Sequence, residues 1–103
     1  MLFDTVIKNG NIVLPYAGGL KTVDLGIKDG LVAAYLQPGT DTGASEIIDA
    51  NGKVVLPGVI DPHNHLGLGD PETDYLTESR AAAVHGITTL LNYLMSNSSY
   101  EDE

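Results

Sequence analysis

Two histidines one residue apart, His63 and His65, close an apolar run that starts at Val54 and passes through Pro57-Gly58. If Val59 to His65 form a strand, Asp61, His63 and His65 share one face, with Cβ atoms about 6–7 Å apart per two-residue step. Two neutral imidazoles so spaced can both reach one divalent metal. The apolar lead-in places the pair at the end of a buried strand, and parallel β/α folds gather catalytic groups at the carboxyl ends of strands. Pro62 cannot donate to a ladder, so regular pairing is expected to be ending where the ligands begin. Asp61 has two readings: an acceptor behind the ligands that orients an imidazole or nearby main chain, or a strand-end turn carboxylate. Asn64 is expected on the opposite face. Ligation needs unprotonated rings, so metal affinity should fall below about pH 6.5.

Other polar residues carry less. His85 sits beside Gly86 at an expected helix end, where an imidazole suits the negative pole of the dipole. Glu72, Asp74 and Glu78 read as a solvated helix face. The segment Leu66-Gly67-Leu68-Gly69-Asp70 follows the histidines directly, and its glycines suit a mobile loop. No Ser-His-Asp arrangement, phosphate loop or aromatic stacking platform is visible. There is no cysteine, so disulfides and thiolate ligands are excluded and only imidazole and carboxylate remain for a metal.

The elements that position the pair are legible in outline. Asn9-Gly10, Asp29-Gly30 and Asn51-Gly52 each separate short β-branched runs, the signature of tight hairpin turns. Together they predict a small antiparallel sheet or sandwich before Pro57, with Pro38–Gly43 as a loop. Val23, Leu25 and Ile27 alternate with Asp24 and Gly26, as a half-exposed strand requires. After Gly58 the pattern becomes strand–helix–strand. Asp70-Pro71-Glu72 opens a helix expected within about residues 71–85, with Tyr75, Leu76, Ser79, Ala82 and Ala83 inward and Gly86 as terminator. Ile87 to Met95 reads as a second covered strand in which either Thr88 or Thr89 can point inward, and Ser96 to Glu103 as a polar loop.

Composition agrees with a globular interior: 43% hydrophobic, 18% charged, twelve glycines. The net charge of −9 repels nucleic acid and anionic membrane surfaces, and residues 54–103 hold a single base, Arg80. No apolar run approaches the roughly 18 residues of a membrane span, and Met1-Leu2-Phe3-Asp4 does not resemble a signal peptide. A soluble cytoplasmic protein is expected.

Pro57-Gly58-Val59-Ile60-Asp61-Pro62-His63-Asn64-His65 resembles the first metal-binding motif of the amidohydrolase superfamily, in its cyclic-amidase branch of hydantoinases, dihydropyrimidinases and allantoinases. Asp49–Lys53 resembles the lead-in to that motif. Thr77–Ala83 with Gly86-Ile87-Thr88-Thr89 resembles the helix and strand that follow. The resemblance implies a mixed β and α/β architecture: residues 1–57 as part of an antiparallel β-sandwich domain, and residues 58–103 as the first strand–helix–strand of an incomplete (β/α)8 barrel. A whole barrel takes about 250 residues, so this chain corresponds to the amino-terminal part of such an enzyme.

For the site, the resemblance implies His63 and His65 as metal ligands and Leu66, Gly67 and Leu68 as a loop bordering the substrate pocket; Asp61 keeps its two readings. It implies a binuclear divalent centre, with zinc the expected metal. The remaining ligands, a carboxylated lysine and two further histidines, come from later strands, as does an aspartate proton shuttle. The implied activity is hydrolysis of a cyclic amide by an enzyme that assembles as a dimer or tetramer. The alternatives are a deacylase or dihydroorotase-like member of the superfamily, a catalytically silent scaffold homologue, or a small β-domain with a weak metal site. Relatives that hydrolyse dihydroorotate carry an arginine two residues after the second histidine. Gly67 stands there in this sequence, which favours a substrate ring without a carboxylate.

Overall fold

The computed structural model describes residues 2–14 and 16–93. The chain forms two compact units, the first ending at Pro57 and the second beginning at Gly58.

The first unit is a single five-stranded sheet built around β1 (Thr5–Leu14). On one side β1 pairs antiparallel with β2 (Gly19–Lys28), which pairs antiparallel with β3 (Leu31–Leu36). The other side of β1 takes two short strands in succession, both parallel to it. β4 (Glu46–Asp49) lies beside Thr5–Lys8, and β5 (Val54–Val55) beside Asn11 and Ile12. The arrangement is therefore a mixed sheet, where the turn signals predicted antiparallel pairing throughout. No helix lies among the described residues of this unit.

Only one of the three Asx-Gly pairs makes a hairpin. Asp29 and Gly30 both have positive φ, 52° and 76°, and join β2 to β3 with Lys28 opposite Leu31. Asn9, at φ 57°, instead lies within β1. Ile7 faces Leu25 and Gly10 faces Val23, so β1 carries one extra residue there, a β-bulge rather than a turn. Asn51-Gly52 steps the chain from β4 to β5 along the same edge, with the Gly52 amide donating to the Asn9 carbonyl.

The core of this unit is Phe3, Val6, Ile12 and Leu25. Asp24, only 1% exposed, is buried with them, so the opposite face of β2 is not the open one that alternation predicted. Its carboxylate has a structural task. Oδ1 accepts the Asn9 amide of the bulge and Oδ2 accepts the Gly39 amide, each at 3.1 Å. Burying the carboxylate is tolerable because two main-chain donors satisfy it.

The second unit is β6 (Val59–Asn64), α1 (Pro71–Val84) and β7 (Ile87–Asn92), with β6 and β7 parallel. This is one strand–helix–strand unit; the described residues contain no barrel. Asp70 stands at the helix N-cap with extended backbone, and Pro71 takes the first helical position. The Asp70 carboxylate accepts the Thr73 hydroxyl rather than capping an amide. Gly86, at φ 85°, follows the last turn. The groove between α1 and the strands is lined from the helix by Glu78, Ala81, Ala82 and His85. Glu78, not expected inward, lines this groove, while the expected Tyr75 reaches Asn92 of β7 through its hydroxyl. Leu94, Met95 and the stretch Ser96 to Glu103 lie outside the described residues.

Candidate metal centre

The strand pair is irregular, and the irregularity builds the site. Asp61 faces Leu90 and Asn64 faces Asn92, so β6 fits three steps where β7 fits two. The extra residue falls at Pro62, His63 and Asn64, where Pro62 has no amide to lose from the ladder. A bulge reverses the alternation beyond it. Asp61 and Asn64, three residues apart, accordingly both line the groove toward α1, and neither histidine does. Asp61 does not share the histidines' face as alternation predicted, and Asn64 is not opposite Asp61. The Asp61 carboxylate instead accepts the His63 amide at 3.1 Å, satisfying a main-chain donor that the bulge takes out of the ladder.

The two imidazoles converge. His63 Nε2 and His65 Nε2 are 3.1 Å apart, with ring centroids 5.0 Å apart and planes at 75°. Nitrogens that each sit about 2.0–2.1 Å from one zinc ion are roughly 3.0–3.4 Å apart at ordinary ligand angles. The pair therefore already has a chelating separation. His65 Nδ1 donates to the Tyr93 carbonyl at 2.9 Å, which puts the lone pair on Nε2, toward His63. The Tyr93 ring stacks on His63 at 4.6 Å and 23°. Both histidines are exposed, so protein packing leaves the Nε2 side open. Among the described residues no third histidine or carboxylate joins them to complete a metal shell. The donor set fits a divalent cation as a half-shell.

Beyond His65 the chain is tied down rather than loose. The Leu66 amide donates to Asn92 Oδ1 at 2.7 Å, and the Gly67 amide donates to the Asp74 carboxylate. Gly67 is buried at φ 83°, and a Cβ there would meet the Tyr75 ring at 2.9 Å. Leu66 lines the groove toward α1, whereas Leu68 is exposed. Asp74, read from sequence as a solvated residue, is thus part of the loop's anchorage. Asn64 Nδ2 and Oδ1 are buried without a hydrogen-bond partner among the described residues. His85 Nδ1 bonds the Ala81 carbonyl at 2.8 Å, as a helix-end imidazole should.

Asn92 and Tyr93 escaped the sequence reading because they sit in what reads as an apolar strand. An asparagine interrupting such a run near its end was the available signal for Asn92. Nothing in the sequence marks the Tyr93 carbonyl.

The chain is similar to known enzymes over most of its length. An allantoinase from Bacillus licheniformis is 45% identical over 97 residues, covering 88% of this chain and 20% of that enzyme. An L-hydantoinase from Paenarthrobacter aurescens is 41% identical over 93 residues, covering 87% and 20%. In structure, the L-hydantoinase (dihydropyrimidinase) of Arthrobacter aurescens superposes with a TM-score of 0.76 at 40% identity, over 87% of this chain and 20% of that one. Over most of its own length the chain is thus similar to allantoinases and hydantoinases, as the amino-terminal part of an amidohydrolase would be. It spans about a fifth of the length of the curated relatives it matches. An N-acyl-D-glutamate deacylase from Bordetella bronchiseptica, solved with zinc and a phosphonate inhibitor, also matches, with a TM-score of 0.69 at 34% identity over 89% of this chain and 19% of that one. No family model matches the chain. Enzymes of this superfamily are generally metal-dependent, and no helix among the described residues is long and apolar enough to cross a membrane.

Proposed function

We propose that this chain is the amino-terminal portion of a metal-dependent hydrolase that opens the C–N bond of a cyclic amide. The observation that carries the proposal is the His63–His65 pair, with Nε2 atoms 3.1 Å apart and one ring locked by the Tyr93 carbonyl. His63 and His65 would hold one divalent cation of a binuclear centre through Nε2, and zinc is the metal we favour because a superposing relative was solved with it. The chemistry such an ion supplies is Lewis acidity, which polarises an amide carbonyl and acidifies water. Asp61 holds the main chain of His63, and the Tyr93 ring and carbonyl keep both imidazoles aimed. We assign residues 1–57 to a supporting β-domain and residues from Gly58 to the start of a β/α barrel, in a cytoplasmic homo-oligomer.

The substrate class follows from Gly67. The Tyr75 ring fills the space a side chain would need, and the Asp74 carboxylate sits on the Gly67 amide. An arginine fork for a substrate carboxylate has no room at this position, and the local charge is negative. A ring without a carboxylate is favoured: a hydantoin, a dihydropyrimidine, or allantoin, itself a hydantoin with a ureido substituent. Leu68, exposed three residues after His65, would offer apolar contact to a ring substituent. The Bordetella relative supports a second reading, hydrolysis of an open-chain N-acyl amide.

The test uses the full-length protein loaded with zinc. kcat/KM for allantoin, a 5-substituted hydantoin and dihydrouracil should exceed that for dihydroorotate, and a preference for dihydroorotate or for an N-acyl amino acid would overturn the substrate assignment. His63→Ala and His65→Ala should each lower bound metal, by more than the roughly 10–100-fold typical of residues that merely support a ligand. Unchanged metal stoichiometry in both variants would falsify the ligand assignment.

A further inference from the structure

The carboxyl end of β7 holds the histidine pair through two consecutive residues. Tyr93 acts directly, by its ring on His63 and its carbonyl on His65. Its amide donates to the Asn64 carbonyl, which keeps the end of β7 in register with the histidines. Asn92 acts one residue further on. Its Oδ1 accepts the Leu66 amide at 2.7 Å, and its Nδ2 donates to the Tyr75 hydroxyl at 2.8 Å and reaches the Leu66 carbonyl at 3.4 Å. The carboxamide thus uses its acceptor and donors together, joining β7, the turn after His65, and α1. Together with the Gly67 amide's bond to Asp74, these contacts restrain the chain on the carboxyl side of His65.

We propose that Asn92 is a positioning residue for the His63–His65 pair, acting by clamping the Leu66–Gly67 turn that follows His65. The proposal rests on the metal-ligand reading above. Residues that orient ligands without touching the metal commonly set affinity by about 10–100-fold. Asn92 differs from the usual case in restraining the ligand through its main chain, while the ring is restrained separately by Tyr93.

The experiment measures zinc affinity by competition with a chelating dye and exchange of the Leu66 amide, both on the full-length protein. Asn92→Leu keeps the volume and removes the hydrogen bonds; it should weaken zinc binding by about 10–100-fold and speed Leu66 exchange. Asn92→Asp still accepts the Leu66 amide and can accept the Tyr75 hydroxyl, so it should keep slow exchange and near-wild-type affinity. Tyr75→Phe should fall between them. Wild-type affinity in Asn92→Leu, with His65→Ala impaired, overturns this inference alone. Wild-type affinity in His65→Ala overturns the metal reading beneath it. If Asn92→Leu does not fold, Asn92→Asp decides: slow Leu66 exchange with retained zinc supports the clamp, and slow exchange with zinc lost overturns it.

Discussion

Both units leave large apolar side chains exposed, among them Leu31, Val32, Ile47 and Leu56 in the first, but only the first buries an apolar core. Phe3, Val6, Ile12 and Leu25 are buried around the bulged β1, whereas Val59, Ile60, Leu76, Val84 and Leu91 are exposed. Among the described residues from Gly58 onward, only Gly67 is buried. The difference is one of closure. A sheet with five strands and a crossing loop covers part of its own face, while two parallel strands and one helix have too little surface to do so. What order the second unit shows near the histidines comes from polar ties: Asp61 to the His63 amide, Asn92 to Leu66, Asp74 to Gly67 and His65 to Tyr93. The first unit therefore combines a small packed core with its sheet hydrogen bonds, whereas the second relies on hydrogen bonds. Exposed apolar area of that extent favours association with more protein.

That contrast can be broken most decisively by core truncation. Leu25→Ala should cost about 2–5 kcal/mol of stability, because it empties a buried site. Leu91→Ala, at a position 49% exposed, should cost less than about 1 kcal/mol in the 103-residue chain. Urea titration of both variants would decide, and equal losses would show that the second unit is packed as well as the first. A smaller but finer difference should appear in hydrogen exchange of a verified monomer. Amides of Val23–Lys28 should exchange at least about tenfold more slowly than those of Ile87–Asn92. Equal protection would mean that β6, α1 and β7 close a core of their own.

The smallest expected effect is acid sensitivity confined to the first unit. Asp4 is held below the usual carboxylate range by its bond to Lys28 and by the Asp29 amide. Asp49 is lowered by the Asn9 side chain and the Asn51 amide. A depressed carboxylate stabilises the fold above its unfolded value, and that contribution is lost as pH falls through the folded value. The first unit should therefore weaken below about pH 4. Asp4→Asn should flatten the pH dependence of its urea midpoint. The effect is small because both groups are solvent-exposed.

Local chemistry determined a good part of this protein from sequence alone. The helix at Pro71–Val84 follows from Asp70-Pro71 at one end and Gly86 at the other, the hairpin at Asp29-Gly30 from positive φ, and the His-x-His pair from its spacing and apolar lead-in. The resemblance to cyclic amidases was also legible, because it lies in contiguous residues. Tertiary structure decided the rest, for a physical reason that recurs. Asn9-Gly10, Asp29-Gly30 and Asn51-Gly52 all permit left-handed backbone, and that permission serves a bulge, a hairpin or a step between strands equally well. The choice rests on partners distant in sequence: Asp24 and Val23 for Asn9-Gly10, and β1 for the parallel β4 and β5. The bulge at Pro62–Asn64 likewise changes which side chains share a face, so Asp61 holds the His63 amide while Tyr93 meets both imidazoles and Asn92 the Leu66 amide that follows them. Alternation can be read along a strand, but the register that interrupts it belongs to the pair of strands.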